Sequence, residues 1–558
     1  MNSEEQDRLA DTPLTLNPLI GVSVEDLAAS AAKVLRQAAL QPNVAAEYWF
    51  RLQAELARAL LNRNGQPVKD KRFADEAFTG NRFFGGLAQA WQAWQRTTLA
   101  WTDAAGFDGV DKDRARFIIE LITDAFAPTN FLLGNPSALR KVRDSNGKSL
   151  IEGARHFFHD LLNNGGMPSQ VDQSAFKVGE NLAITPGAVV YREDIFELIQ
   201  YQPNSGKVSG TPVFIVPPQV NKYYIYDLSP EKSLLRFLVE QDQQVFVLSW
   251  RNPTKEHRDW TLANYVDGVE RAMDVAREVS GATQLHTVGA CAGGITLATT
   301  LSYLAQRGKL DGVASLTLMV NVLQPHNDDS VIGLFSSDAG IEKARQRSER
   351  DGVLDGAAMA RMFNWMRPND LIWNYVVSNY LHGESPPAFD ILYWNNDTTN
   401  LPARLHSDFL DLFKGDLLAK QGALKIHDIP IDLHKVSVPT FITGGTTDHI
   451  TPWQACYRST QLLGGECTYI LSTAGHIQSF INPPGSSKRK YYTNASTPPS
   501  AQDWLSAADE HSGSWWPYWV EWLDKHRNAA GDASPVLGSA LHPVLCAAPG
   551  TYVHEKAK

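Results

Sequence analysis

One hexapeptide has the make-up of a strained turn around a nucleophile: Gly289-Ala290-Cys291-Ala292-Gly293-Gly294. A short apolar run, 285–289, precedes it, and a helical stretch begins at Ile295. The thiol is therefore expected at a strand-to-helix elbow, with Cys where Ser usually stands. Small residues are needed on both sides, because side chains there would clash with the adjoining strand and helix. A helix that starts just after the thiol turns its free amides and positive dipole end towards it, which favours the thiolate. The competing reading, a buried cysteine in a glycine-rich turn, accounts neither for the strand–turn–helix context nor for the acid and histidine placed later in the chain.

Those two partners come in the order acid, then histidine. The run 440–443 leads into Gly444-Gly445-Thr446-Thr447-Asp448-His449-Ile450-Thr451-Pro452, and the run 469–471 into Ser472-Thr473-Ala474-Gly475-His476. Asp448 and His476 thus each fall just past a strand, where catalytic groups gather in α/β sheets. A lone Asp there is usually a turn residue and a lone His is usually structural; their joint placement carries the assignment. His476 is read as the base that takes the Cys291 proton, and Asp448 as the group that orients the imidazole and steadies its positive form. His449 would be poorly placed to reach both its neighbour's carboxylate and Cys291, so it is kept as a supporting residue near the substrate. The oxyanion hole is expected from the backbone N–H of Ala292 and one N–H of the loop Pro217-Pro218-Gln219-Val220-Asn221, with Val220 as first choice. A thiol exchanges with a thioester at little free-energy cost and leaves the acyl group activated for attack by an alcohol. The chemistry favoured is acyl transfer from a coenzyme A thioester to a hydroxyl.

The elements that must position these groups are legible from periodicity. From about residue 186, short apolar runs at 188–192, 196–201, 213–216, 245–250, 285–289, 316–323, 440–443 and 469–471 read as strands. Leu262, Tyr265, Val266, Val269, Met273 and Ala276 form a helical stripe between two of them. Alternating strand and helix implies a mostly parallel sheet covered on both faces, an α/β fold of the α/β-hydrolase kind. The alternation stops between about 324 and 436, so an inserted cap subdomain is expected there, with Tyr393 and Trp394 among its aromatic residues. Residues 1–185 read as a mostly helical N-terminal domain and 186–558 as the catalytic domain. In the former, Val24 to Leu61 carries helical spacing, and Trp91, Trp94, Leu99 and Trp101 suggest one bulky helix face, with breaks at Ala127-Pro128-Thr129-Asn130 and Asn164-Gly165-Gly166-Met167-Pro168. Trp515-Trp516-Pro517-Tyr518-Trp519 with Trp522 and Leu523 reads as a closing amphipathic helix, and the stretch from Ala529 as irregular.

With 558 residues, 43% apolar and 20% charged, the chain has the material for a sizeable core. A net charge of −10 argues against nucleic-acid partners. Four cysteines without CxxC spacing suit a reducing cytoplasm, and no metal-ligand spacing is present. The start, MNSEEQDRLADT, lacks the build of a signal peptide, and no apolar run approaches the roughly 20 residues of a transmembrane helix.

These motifs together resemble the polyhydroxyalkanoate synthases, most closely the medium-chain-length (class II) type. The resemblance runs over nearly the whole length and includes Gly289-Ala290-Cys291-Ala292-Gly293-Gly294, Pro217-Pro218-Gln219-Val220-Asn221-Lys222, Ser249-Trp250-Arg251-Asn252-Pro253, Met366-Arg367-Pro368-Asn369-Asp370, Tyr393-Trp394-Asn395-Asn396-Asp397, Asp448-His449-Ile450-Thr451-Pro452-Trp453, Gly475-His476-Ile477-Gln478 and the tail Pro549-Gly550-Thr551-Tyr552-Val553-His554-Glu555. It implies polymerisation of (R)-3-hydroxyacyl-CoA into polyester with release of coenzyme A, and no cofactor beyond the coenzyme A of the substrate. It also implies a homodimer and work at the surface of polyester granules in the cytoplasm. It gives Cys291, Asp448 and His476 the roles already derived. Many class II members carry Ser after the nucleophile where this chain has Ala292, a change that leaves the backbone N–H in place. Asn221, Tyr393, Trp394, Asp397 and His449 are candidate substrate-binding residues; Tyr393, Trp394 and Asp397 would line the acyl channel or else knit the cap together. Lys488-Arg489-Lys490 would meet coenzyme A phosphates or form a solvated turn. Two other readings use the same residues: a cysteine-dependent acyl-CoA thioesterase, in which water replaces the hydroxyl, and a granule-coat scaffold with a vestigial site.

Overall fold

The helical spacing of Val24 to Leu61 resolves into two helices, α1 (Val24–Leu40) and α2 (Pro42–Leu61). Pro42 sets the boundary, because it cannot continue the first helix but suits the first position of the second. In the computed structural model the described residues are 19–20, 24–61, 68–205, 208–325, 338–485, 489–527 and 534–557. The chain divides into two units, Gly21–Ala175 with Arg361–Phe389, and Met1–Ile20 with Phe176–Ala360 and Asp390–Lys558.

The first unit is helical. Besides α1 and α2 it holds α3 (Arg82–Ala104), α4 (Gly109–Ala125), α5 (Pro136–Asp144) and α6 (Lys148–Asn163). The four bulky residues of α3 do not share one face. Trp91 and Trp94 pack with Phe73 and Phe78, whereas Leu99 and Trp101 pack with Ala105 and Ile119. Ten residues of helix place Trp101 about 80° from Trp91 around the axis, so the two serve different neighbours. Asn164-Gly165-Gly166 ends α6 as expected, both glycines having positive φ.

The second unit is built on an eleven-stranded sheet: β1 (Gly187–Arg192), β2 (Phe196–Tyr201), β3 (Val213–Val216), β4 (Val245–Trp250), β5 (Leu285–Ala290), β6 (Val313–Met319), β7 (Thr440–Gly445), β8 (Cys467–Ser472), β9 (Lys490–Thr493), β10 (Asp509–Ser512) and β11 (Cys546–Ala547). Its spatial order is β10-β9-β8-β7-β6-β5-β3-β4-β2-β1-β11. The six strands β4, β3, β5, β6, β7 and β8 are parallel to one another, and β3 to β7 are buried along their whole length. That is the signature of strands covered on both faces. Helix α7 (Leu262–Ser280) buries the predicted stripe, and α8 (Cys291–Gln306) runs on directly from β5.

Three boundaries differ from the sequence reading. The strand expected at 316–323 begins at Val313 and stops at Met319, because Val320 turns to φ +44°. The antiparallel strands β9 and β10 escape notice because they are short and polar. The stretch after Ala529 is anchored where it is described: β11 pairs with β1. The buried carboxylate of Glu197 on β2 accepts hydrogen bonds from the backbone N–H groups of Thr551 and Tyr552 at 2.9 and 3.0 Å.

Within the expected insertion, helices span Asp338–Asp351, Gly356–Met366, α9 (Asp390–Asn396) and Ala403–Gly415, and 361–389 groups with the helical unit. After β8 comes the one-turn helix α10 (His476–Phe480), and α11 (Trp516–Lys525) is the closing helix. The indole N–H of Trp515 bonds to Ser479 O at 2.7 Å and that of Trp516 to Phe480 O at 2.9 Å. Those of Trp519 and Trp522 reach Thr317 on β6 and Thr468 on β8, at 3.0 and 3.1 Å. Four neighbouring tryptophans thus fasten α10, which begins at His476, to the sheet.

Candidate active site

Cys291 is the first residue of α8 and lies at φ +48°. Left-handed backbone costs a non-glycine residue about 1–2 kcal/mol, so neighbouring packing must hold it there. Gly293 is part of that packing: a Cβ on it would overlap the carbonyl oxygens of both Val216 and Pro217. The start of α8 therefore rests directly against the end of β3, which brings the Pro217–Asn221 loop beside the thiol. Gln219 fixes the loop further by donating to Thr296 Oγ1 on α8 at 2.9 Å. Its backbone carbonyl accepts from the Thr399 hydroxyl at 2.9 Å. Cys291, Ala292, Val220 and Asn221 are all half-buried, and Asn221 also takes a positive φ, +63°.

Asp448 lies beyond β7 and is buried. Its Oδ1 accepts the N–H groups of Ile450 and Thr451 at 2.8 and 2.9 Å. Its Oδ2 accepts the Thr451 hydroxyl at 2.7 Å and pairs with His476 Nδ1 at 2.7 Å. With Nδ1 given to Asp448, His476 keeps its other nitrogen for a further partner, and the Cys291 side chain is among the groups that favour its charged form. Burial opposes the charged form of His476, but the Asp448 carboxylate and the Cys291 hydrogen bond outweigh it and lift the pKa to about 10. Burial also opposes charge on Asp448, yet His476 and the two Thr451 bonds hold its carboxyl below the usual range. Each member of the pair thus favours the charged form of the other.

The other expected residues divide. His449 is half-buried beside Asp448, but the carboxylate is spent on His476, Ile450 and Thr451. Tyr393 packs its ring on Phe176 at 5.3 Å. Trp394 donates to Lys222 O at 2.6 Å. Asp397 pairs with the buried Lys222 ammonium at 3.0 Å, with Lys556 at 2.8 Å, and accepts from Tyr224 at 3.0 Å. These contacts tie α9 to the residue that ends the Pro217–Asn221 loop. Of the basic triplet, Lys488 lies outside the described residues, Arg489 donates to Pro483 O at 2.6 Å and Lys490 pairs with Glu510 at 2.7 Å. Sequence reasoning missed Thr451, although an Asp with a Thr three residues later is the pattern of a side-chain-bonded turn. It also missed Asn321, which donates to Cys291 O at 2.6 Å and which no local pattern announces.

Two family models match the chain. "Poly-beta-hydroxybutyrate polymerase (PhaC) N-terminus" covers residues 69–238 and "alpha/beta hydrolase fold" covers 212–483. Over 557 residues the chain is 44% identical to poly(3-hydroxyalkanoate) polymerase 1 of Ectopseudomonas oleovorans, a match spanning 100% of this chain and 99% of that one. The chain belongs to the poly(3-hydroxyalkanoate) polymerase family. Polymerase 2 of the same organism is 45% identical over 96% of each chain. The polymerase subunit of Cupriavidus necator is 41% identical over 88% of this chain and 84% of its own. The α/β-hydrolase fold read from the strand pattern agrees with the second model. Family membership also sets aside the thioesterase and the granule-coat readings.

Proposed function

We propose that this polymerase works through an acyl-cysteine at Cys291. The enzyme polymerises hydroxyacyl-CoA into polyhydroxyalkanoate. In the proposed cycle His476 takes the Cys291 proton as the sulfur attacks the thioester carbonyl of a 3-hydroxyacyl-CoA, and coenzyme A leaves as a thiol with that proton. His476 then takes the proton from a second 3-hydroxyl as that oxygen attacks the acyl-cysteine. An oxygen ester forms and the Cys291 thiol returns. The N–H groups of Ala292 and Val220 would receive the oxyanion of each tetrahedral intermediate. Asn221 and His449, half-buried beside these groups, are proposed to meet the substrate, with Tyr393, Trp394 and Asp397 shaping the site through α9. Coenzyme A travels on the substrate, and no other cofactor enters the cycle. The observation that carries this reading is the buried His476–Asp448 pair at 2.7 Å, together with a thiol held at a strained elbow whose side chain acts on the charge of His476. Protein quenched in acid during turnover and digested should carry the 3-hydroxyacyl mass on the Cys291 peptide as a hydroxylamine-labile thioester. An acyl ester on serine, or an acyl group elsewhere, would refute it.

We further propose that the enzyme works in the cytoplasm on the surface of its own product, docked through α6. An ordinary amphipathic helix buries its large apolar side chains. Helix α6 does the reverse: Ser149, Gly153 and Asp160 are buried, while Ile151, Phe157, Phe158, Leu161 and Leu162 are exposed, Leu162 to 79%. The inner face is held by polar contacts, Asp160 accepting from Ser169 N and Tyr380 Oη at 2.9 Å each. The outer face borders a groove of about 620 Å³ lined by Leu150, Ile151, Ala154, Arg155 and Phe158. Exposed apolar surface of this extent marks an interaction site. A polyester offers the matching chemistry, with aliphatic side chains for the stripe and ester carbonyls for Arg155. Phe158→Glu with Leu162→Glu should weaken co-sedimentation with amorphous polyester particles at least about tenfold, since burying each side chain is worth roughly 1.5–3 kcal/mol. Release of coenzyme A from soluble substrate should continue. If particle binding is unchanged and self-association is lost instead, the face belongs to the homodimer.

A further inference from the structure

Two strained backbone positions lie beside each other in the site. Cys291 ends the β5 turn at φ +48°, and Val320 leaves β6 at φ +44°. For a β-branched residue the second value is an outlier, one that surrounding structure must impose. Val320 is held by its N–H to Thr443 O of β7 at 3.0 Å. That conformation delivers the next side chain, Asn321, to the elbow. Asn321 is fully buried, and its amide donates to Cys291 O at 2.6 Å. Its Oδ1 accepts no hydrogen bond among the described residues, so the donor bond to Cys291 O is the polar contact that orients this side chain. Gly294 leaves the room: a Cβ there would lie 2.8 Å from Asn321 Nδ2, 2.9 Å from Cγ and 3.2 Å from Cβ, its three nearest contacts.

We propose that Asn321 is a positioning residue for the polymerisation, holding the Cys291 backbone in its left-handed conformation so that the thiol meets His476. The proposal rests on Cys291 being the nucleophile. A residue that only fills space would change stability when truncated. One that aims the thiol changes the chemical step, because small misplacements of a reacting atom cost up to about a hundredfold. Asn321→Ala should lower kcat for coenzyme A release at least about tenfold and leave KM within about twofold. Gly294→Ala, whose methyl group takes the space of the Asn321 amide, should produce a loss of the same size. The double variant should be no worse than Asn321→Ala alone, since both changes remove one interaction.

Additive losses in the double variant would overturn the proposal. So would a lowered melting temperature with unchanged kcat, or acylation of Cys291 at the wild-type rate in both single variants. Mapping the acyl group in the same samples separates the two ideas, because an acyl group on any residue other than Cys291 would sink the nucleophile assignment itself.

Discussion

Cys291→Ala should release no coenzyme A above background from 3-hydroxyacyl-CoA and should make no polymer, while keeping the melting temperature of the parent. The expected loss is the largest of any single substitution, because the covalent route disappears and the base and acid have nothing to act on; in triad enzymes such a loss reaches about 10⁶-fold. The fold should survive because the change removes one sulfur from a half-buried side chain and leaves Gly293 against β3 and the Asn321 bond to the backbone intact. Cys291→Ser should be severely impaired, since a hydroxyl is far harder to deprotonate than a thiol. Ala in place of Cys467 or Cys546 should leave turnover close to the parent. Cys456 should also tolerate it: it is fully buried and its weak Sγ contact is to Thr451 O at 3.4 Å, and burial pushes its thiol up, away from nucleophilic use. Near-parental release of thiol by the Cys291→Ala variant would end the assignment.

His476→Gln should lower coenzyme A release by about 10³-fold or more, and His449→Gln by far less. The reverse order would mean that the wrong histidine was chosen. The same variant carries a stability signature. The folded pKa of His476, about 10, lies above its ordinary value near 6.5. Its contribution to stability is therefore fully present below about pH 6.5 and is lost as pH rises through about 10. The melting-temperature deficit of His476→Gln relative to the parent should narrow steadily over that window. Asp448→Asn tests the other half of the pair. A thiol at an elbow is far easier to ionise than a serine hydroxyl, so acylation of Cys291 should persist in a single turnover. Elongation should fall roughly 10²–10⁴-fold, because a substrate hydroxyl must then be deprotonated by a His476 without its carboxylate. Rapid quench with labelled 3-hydroxyacyl-CoA should find accumulated acyl-enzyme. Equal losses in both steps would show that the carboxylate serves them alike.

What the sequence disclosed and what it hid have the same physical origin. The elbow was legible because its constraint is local: a turn that tolerates no side chain at Gly293 writes itself as glycine within two residues of the thiol. Asp448 and His476 were legible because each stands just after an apolar strand. Asn321 was not, because its partner lies thirty positions away and its delivery depends on the φ of Val320. The strands β9 and β10 were missed because each is four residues long and carries no apolar alternation. The outward face of α6 was hidden for a subtler reason. A stripe of large apolar residues at helical spacing looks the same whether it is turned in or out, and only the packing of Ser149, Gly153 and Asp160 decides which.

The pairing of β11 with β1 bears on how the chain is made. Strand β1 is among the first parts of the sheet to leave the ribosome, and its outer edge has no partner until residues 546–555 emerge. Until then that edge can accept a strand from another nascent chain, and the buried carboxylate of Glu197 lacks the Thr551 and Tyr552 amides that satisfy it. Strand β1 therefore gains this partner, along Ala188 and Val189, only after residues 546–547 have been made, in a step that joins positions more than 350 residues apart. Until that step the outer edge of β1 is open to pairing with a neighbouring copy, so refolding yield should fall as the concentration of chains rises.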